Sequence, residues 1–430
     1  GQFFMERTSS NYQAYLGVLK RELVPAMGCT EPIAIAYCAA KAKSVLGVEP
    51  DRVLVAASGN IIKNVKSVIV PNTNGRKGIA VAAAIGIVAG DESRGLEVIA
   101  SSGTDTEERL AAFLASTEIK TEAAESDYPL DIMVTLWRGD SSACVRIVRE
   151  HTNIVMIRRN ENVLFEKKTV EPCTKDGTSD NSFMSMEEIY DFADTADLSD
   201  VRELIGRQIR YNSAIAEEGL RGDYGANIGR ILLRGDSSVR TRAKALAAAG
   251  SDARMNGCSL PVVINSGSGN QGLTASLPVI AYAQEWGSSE EKLYRALLLS
   301  NLITLHEKAG IGRLSAYCGA VSAGAGACAG IAYLLGGDYQ AVIHTVVNAL
   351  AVSSGIVCDG AKSSCAGKIA LAVEAGLMGY EMYLNGRQFY GGDGIIRKGV
   401  ENTLQNISRL GRVGMRETDR EIIRMMVEEP

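Results

Sequence analysis

Four cysteines stand where the chain can steer a sulfur. Cys358 and Cys365 lie seven positions apart in "GIVCDGAKSSCAGK", Cys318 sits in "GRLSAYCGA", and Cys29 sits in "AMGCTEP". Each is beside a glycine or at an element boundary. Four thiols drawn from four places can bind zinc or an iron–sulfur cluster. Structural zinc usually uses paired C-x-x-C knuckles, and electron-transfer ferredoxins bunch their cysteines; neither pattern is present. Dispersed ligands suit a cluster built into a preformed helical cavity, where one iron can stay open to substrate. Scattered core thiols are the alternative. Cys29 precedes a predicted helix, whose unpaired N–H groups and dipole favour a thiolate. It is therefore a candidate base or ligand, or simply a residue that fits a capped turn. The remaining five cysteines (Cys38, Cys144, Cys173, Cys258 and Cys328) read as small buried hydrophobes or inert surface thiols.

A second constellation is "VVINSGSGNQGLTASLP", residues 262 to 278. A short β-like run feeds a loop containing Ser266, Gly267, Ser268, Gly269 and Asn270, and a helix follows. Closely spaced glycines let backbone N–H groups face a ligand, and a helix N-terminus attracts anions. The loop suits a substrate carboxylate; a glycine-rich turn without a ligand is the competing reading. It is not a Walker loop, since no Gly-Lys-Ser/Thr follows. It also resembles the asparagine loop of pyridoxal-phosphate β-eliminating enzymes. For that chemistry the nearby Schiff-base candidate is Lys244 in "TRAKALAAAG", which reads as an ordinary exposed helix residue. Lys308, ten residues before Cys318, could approach the same cavity or lie on a helix surface. His151, His306 and His344 are far apart and each reads as a half-buried or surface residue.

The elements that must position these groups fall into two textures. "NYQAYLGVLKREL" and "IAIAYCAAKAKSVLG" have helical spacing, the second with Thr30 as cap and Pro32 in its first turn. From residue 50, "RVLVAAS", "KSVIVP", "LEVIAS", "DIMVTLWRG" and "SACVRIVRE" read as strands, with helices "GIAVAAAIGIVAG" and "TEERLAAFLAS" between them. "NIVMIRRNENVLFEKK" reads as a hairpin turning at "NEN". After a polar linker the chain is helix punctuated by glycine. The expected fold is α+β: a mostly helical catalytic domain (10–48 and 183–430) carrying an inserted smaller α+β domain (50–170), joined by a linker (171–182). The mixed-charge stretch "RLGRVGMRETDREIIRMMVEE" reads as a solvated helix face.

Composition narrows the partners. The 430 residues are 46% apolar and 22% charged, with a formal charge of −5 and no basic stripe. With 7 Phe, 2 Trp and 15 Tyr there are few stacking platforms, so nucleic acid is a poor partner. The uncharged run at residues 314–337 is Ala, Gly and Ser without flanking basic or aromatic belts, so it is expected to be core rather than a membrane span. The opening residues lack a secretory pattern, and nine cysteines do not form a disulfide framework. A cytoplasmic, reducing compartment follows, and the Ala/Gly-rich helices could support a homodimer.

Together, "AMGCTEP", "PNTNGRKGIAVAAAIG", "SGSGNQG", "GRLSAYCGA" and "GIVCDGAKSSCAGK" resemble the iron–sulfur L-cysteine desulfidase family, relatives of the alpha chain of iron–sulfur L-serine dehydratases. The resemblance covers roughly residues 10 to 425. It implies a 4Fe-4S cluster on Cys318, Cys358 and Cys365, with Cys29 as a displaceable fourth ligand or the base. The implied reaction converts L-cysteine and water to hydrogen sulfide, pyruvate and ammonia. The "NSGSGN" loop departs from the dehydratases' usual A-P-T-N/S-G type, and their C-terminal cysteine tail has no counterpart in "RMMVEEP"; both departures favour the desulfidase branch. L-serine dehydration by the same mechanism, pyridoxal-dependent elimination, and a non-catalytic cysteine or redox sensor are the alternatives.

Overall fold

The computed structural model describes residues 5–27, 30–99, 103–168, 181–312 and 315–428. It is an α+β protein whose contacts divide it into two compact units.

The helical unit takes described residues from 1–28, 178–358 and 363–416. The other unit takes 29–177, 359–362 and 417–430. In chain order the helices are α1 (Ser10–Glu22), α2 (Thr30–Leu46), α3 (Gly59–Val65), α4 (Ile79–Ala89), α5 (Thr106–Ser116), α6 (Met186–Thr195), α7 (Arg202–Arg221), α8 (Ile228–Leu233), α9 (Val239–Met255), α10 (Gly269–Trp286), α11 (Glu290–Ile311), α12 (Gly319–Leu334), α13 (Tyr339–Ser353), α14 (Cys365–Leu384), α15 (Val400–Arg409) and α16 (Arg416–Glu428). The strands are β1 (Pro25–Met27), β2 (Arg52–Ala57), β3 (Glu118–Ala123), β4 (Asp131–Arg138), β5 (Ser141–Val148), β6 (Ile154–Arg159), β7 (Asn162–Glu166) and β8 (Pro261–Val263).

The axis of the helical unit is α12, buried from Ala320 to Leu334 and packed by α10, α11, α13 and α14. Its Ala/Gly/Ser composition is what lets four helices approach one backbone at once. The uncharged run is thus core, and no helix among the described residues is long and apolar enough to cross a membrane. The two-stranded ribbon of β1 and β8 also belongs to this unit.

The second unit is built on a sheet ordered β3-β2-β4-β5-β6-β7, antiparallel except for the β2–β3 pair. The hairpin of β6 and β7 turns at Asn160 and Glu161. Here α2, which the sequence reading groups with the helical domain, lies against β4, β5 and α4 instead. Ala34, Ile35, Ala36, Cys38, Ala39, Ala40 and Ala42 of α2 are all buried. Such an all-round small apolar surface fits between a sheet and a helix, and Gly86 lets α4 close onto the Ala36 carbonyl. Thr30 begins α2, with its hydroxyl 3.0 Å from His151 Nε2.

Three local expectations differ. "KSVIVP" makes only a single bridge, Ile69 to Lys77, and the next run, "LEVIAS", opens with Leu96 and Glu97 closing a 3₁₀ turn, Glu92–Glu97. Val68 and Val70 are apolar because the loop is buried, not because it pairs. β3, with its polar sequence "EIKTEA", is an edge strand, where charge protects an open ladder. On α16, Ile423, Met426 and Val427 pack against the second unit's core, so one face is not solvated. Residues 169–180, which include most of the expected linker, lie outside the described residues.

Candidate active site

Two backbone hydrogen bonds bring two of the thiols together. The Cys318 N–H donates to the Ile356 carbonyl (3.2 Å) and the Cys358 N–H donates to the Ala316 carbonyl (2.6 Å), with Tyr317 opposite Val357. In an antiparallel bridge this places Cys318 and Cys358 on one face as diagonal neighbours, about 7–8 Å apart at Cα. Tyr317, on the other face, anchors the ribbon through a 2.9 Å hydroxyl contact with Ser354.

Cys318 is the residue immediately before α12, and Cys365 is the first residue of α14. Glycine contacts give the directions of these helices. A Cβ on Gly319 would collide with the Gln271 side chain, and one on Gly330 would sit 3.1 Å from Val279, so α12 and α10 run the same way. A Cβ on Gly324 would sit 2.8 Å from the Ala372 backbone and one on Gly376 2.5 Å from Cys328 Sγ, so α12 and α14 are also parallel. The constant offset between α12 and α14 puts Cys318 level with the start of α14, and the Gly319–Gln271 contact puts Gly319 level with the first turn of α10. Three helix N-termini therefore open onto one place, each offering unpaired N–H groups and a positive dipole end.

The electrostatics agree with that convergence. Burial pushes the Cys318 thiol up to about 11, and charge on Cys358 and then on Cys365 pushes the same way, while the Ala320 N–H and Lys368 oppose. Cys318 is thus within electrostatic reach of both Cys358 and Cys365, and all three are half-buried. The Lys368 ammonium is held by the Val357 carbonyl at 2.8 Å.

At the start of α10 the glycine-rich loop forms a two-residue hairpin. Asn265 and Ser268 exchange backbone hydrogen bonds (3.1 and 3.0 Å), with Ser266 at φ +53° and Gly267 at φ +76°. Two left-handed residues in sequence are the requirement of a type I′ turn, and Ser266 meets it without being glycine. Its hydroxyl donates to Asn265 Oδ1 (2.8 Å). Ser268 caps α10 by accepting from the Gln271 N–H, and Gly269 and Asn270 form the first turn.

Behind the loop lies a ladder of fully buried amides. Asn265 donates to the carbonyl and side-chain oxygens of Asn301 (3.2 and 3.1 Å), and Asn301 exchanges hydrogen bonds with Gln208 (2.8 and 3.0 Å). Asn212 ties the Val263 N–H (2.9 Å) to the Gly272 carbonyl and the Ser276 hydroxyl. All four residues are 0% exposed. The sequence reading missed them; Gln208 and Asn212, one turn apart on a helix, were the available signal.

It also missed Glu307 on α11. This residue is 3% exposed, and neither carboxyl oxygen has a hydrogen-bond partner. Burial holds its carboxyl well above the usual carboxylate range, opposed in part by Lys308. The buried Tyr317 hydroxyl feels both Glu307 and Cys318.

The other expected residues sort as follows. Lys308 is half-buried in the last turn of α11. Lys244 is not an exposed helix lysine: its ammonium is 3.0 Å from Glu374 and its side chain is 17% exposed, because α9 packs on α14. His306 pairs with Glu401 (2.9 Å), and His344 stacks on Tyr383. Cys38, Cys144 and Cys328 are buried thiols whose sulfurs hydrogen-bond within the core. Cys29 and Cys173 lie outside the described residues.

Among the described residues, no three His, Cys, Asp or Glu side chains are grouped as tightly as a metal ion requires. The three converging thiols fit an iron–sulfur cluster in donor chemistry, being soft sulfurs at two helix N-termini and on one ribbon. A surface recess of about 490 Å³, lined by Arg7, Tyr12, Asp197 and Arg295 among others, contains none of these residues; Arg7 there is already paired with Asp197 and Asp200.

Residues 93–424 match the sequence profile of the family described as serine dehydratase alpha chain. A UPF0597 protein of Desulfitobacterium hafniense is 57% identical over 427 residues, covering 99% of each chain. One of Lachnoclostridium phytofermentans is 49% identical over 97% of this chain and 100% of its own. One of Treponema denticola is 44% identical over 99% of this chain and 100% of its own. The matched profile includes the three converging cysteines and the Ser266–Asn270 loop, and begins after Cys29.

Proposed function

We propose that this chain, which belongs to the serine dehydratase alpha-chain family, is a lyase that eliminates hydrogen sulfide from L-cysteine. The observation that carries the reading is the convergence of Cys318, Cys358 and Cys365 with the Ser266–Asn270 loop at three parallel helix N-termini.

In this reading Cys318, Cys358 and Cys365 hold a 4Fe-4S cluster, with Cys29 as a fourth ligand or as the base. When bound, the cluster supplies a soft Lewis acid for a departing thiolate or hydroxide. The loop receives the substrate carboxylate: the first-turn N–H groups of α10 donate to it, and the dipole end favours its charge. The amide ladder of Asn265, Asn301, Gln208 and Asn212 keeps the turn from relaxing, so the carboxylate is held in one orientation. A thiolate at Cys29, favoured by the start of α2, would take the Cα proton. Cα–H and Cβ–S bonds break, a Cα–Cβ double bond forms, and sulfide leaves with the proton count balanced. The aminoacrylate then tautomerises and takes up water, giving pyruvate and ammonia.

L-serine is the second reading, favoured by the name of the family whose profile matches residues 93–424. Both are tested by one experiment. Anaerobically purified protein is incubated with L-cysteine and L-serine in parallel, and sulfide, pyruvate and ammonia are measured. Equimolar sulfide, pyruvate and ammonia from cysteine are expected. Pyruvate from serine alone would assign dehydration, and no product from either, in protein containing iron and sulfide, would overturn the lyase reading.

A further inference from the structure

The charged and polar groups around the convergence are not all used by a carboxylate and three thiols. Glu307 remains, 3% exposed with both oxygens unpartnered, and so does Ser322, 0% exposed with its hydroxyl unpartnered. These two belong to facing helices. A Cβ on Gly330 would lie 2.9 Å from the Ala296 carbonyl, and one on Gly326 would lie 2.8 Å from the Ser300 carbonyl. One turn forward in α12 is therefore one turn back in α11. A further turn along this antiparallel register brings Ser322 level with Thr304, and Glu307, one turn on in α11, level with Gly319, so the two side chains stand one turn apart on facing helices. Ser322 is also one turn beyond Cys318.

Two deeply buried side chains with three oxygens and no partner mark a place where a donor is missing. A carboxyl that burial holds above its usual range lacks a countercharge, and Lys308 offsets only part of the cost. A ligand that carries positive charge and several N–H donors satisfies the three oxygens and the charge together. An α-amino acid offers that group beside the carboxylate for which the glycine-rich loop is suited.

We propose that Glu307, assisted by Ser322, receives the α-ammonium group of the amino-acid substrate, and so makes the site specific for amino acids over the corresponding deaminated acids. The inference rests on the lyase reading for the identity of the substrate. Glu307 and the loop then grip the substrate at two points on Cα, which leaves the Cα–H and the Cβ substituent as the groups free to be presented. Removing the ammonium from the ligand, or the carboxylate from the site, should have the same effect.

The test is calorimetric binding to the anaerobic protein of L-cysteine and of 3-mercaptopropionate, which lacks only the amino group. Wild type is expected to prefer L-cysteine by roughly 100-fold or more, as sites built around a buried polar group do. Glu307→Gln should reduce L-cysteine binding roughly 30-fold or more and leave 3-mercaptopropionate unchanged, and Ser322→Ala should reduce it several-fold. Equal affinities in wild type, or a Glu307→Gln loss shared by both ligands, would overturn the proposal. So would unchanged cysteine binding in Glu307→Gln with loss of any stabilisation by potassium over choline chloride, which would assign the place to a metal cation. Ser322→Ala carries the same comparison if Glu307→Gln fails to fold, and no selective loss there overturns it equally. Ammonium-selective binding without turnover would remove the lyase reading and leave this one standing. Turnover with a Glu307→Gln enzyme of unchanged KM would do the reverse.

Discussion

The two units bury polar groups in opposite ways. In the sheet-containing unit, buried charge is paired: Lys63 is buried against Asp419, and Asp131 accepts from Arg146 Nε and Nη2 (3.0 and 2.7 Å) and from Ser126. In the helical unit, Asp191, Arg207, Ser251, Asp252, Arg254, Asn270, Gln271, Glu307 and Ser322 all carry buried atoms without a hydrogen-bond partner. Among the described residues, Thr106 is the single such case in the other unit. Each such atom costs about 1–3 kcal/mol. The pairing in one unit suits a scaffold, and in the proposal above a ligand would offset the cost at Glu307 and Ser322 of the other.

That contrast can be broken in three places. The largest effect is expected at Cys358→Ser. Turnover of L-cysteine should fall by roughly three orders of magnitude or more, with loss of iron and acid-labile sulfide, because a Lewis-acid site is removed. A Cys358→Ser protein with full iron content and full activity would end the cluster assignment. Next in size is Asp419→Ala in the sheet-containing unit, which removes the carboxylate against which Lys63 is buried. It should cost about 3 kcal/mol in urea unfolding, as the breaking of a buried pair does. A loss below about 1 kcal/mol would show that this pair is surface-like and weaken the contrast.

The smallest effect concerns an ordinary half-buried group. Burial lowers the His344 imidazole below its usual 6.5, opposed by Asp338. The unfolded chain then takes up the proton first as pH falls. The stabilisation is fully present above about 6.5 and is lost as pH falls through the lower folded value. His344→Phe, which keeps a ring over Tyr383, should flatten that slope by less than about 1 kcal/mol in thermal or urea unfolding. An unchanged slope would move the pH dependence to another group.

Much of the helical unit was legible because its helices have long periodic patterns with clear stops. The glycine-rich loop followed by a helix and the uncharged run as core both follow from local chemistry. The placement of α2 did not, since an all-Ala surface satisfies a sheet as well as a bundle. β3 was lost because an edge strand carries charge where a central strand would carry valine. Glu307 was lost for a related reason: a glutamate between histidine and lysine reads as a solvated helix face, and only the neighbours of α11 make it buried.

By itself the sequence determined which groups are present: thiols beside glycines or at element boundaries, a glycine-rich loop before a helix, and helices small enough in cross-section to crowd together. The tertiary structure alone decided that α10, α12 and α14 run parallel from one level, and that α11 opposes them with a carboxyl. The physical reason is that periodicity records which side chains share a face. Which helix meets that face, and in which direction it runs, is settled by packing between elements far apart in the chain.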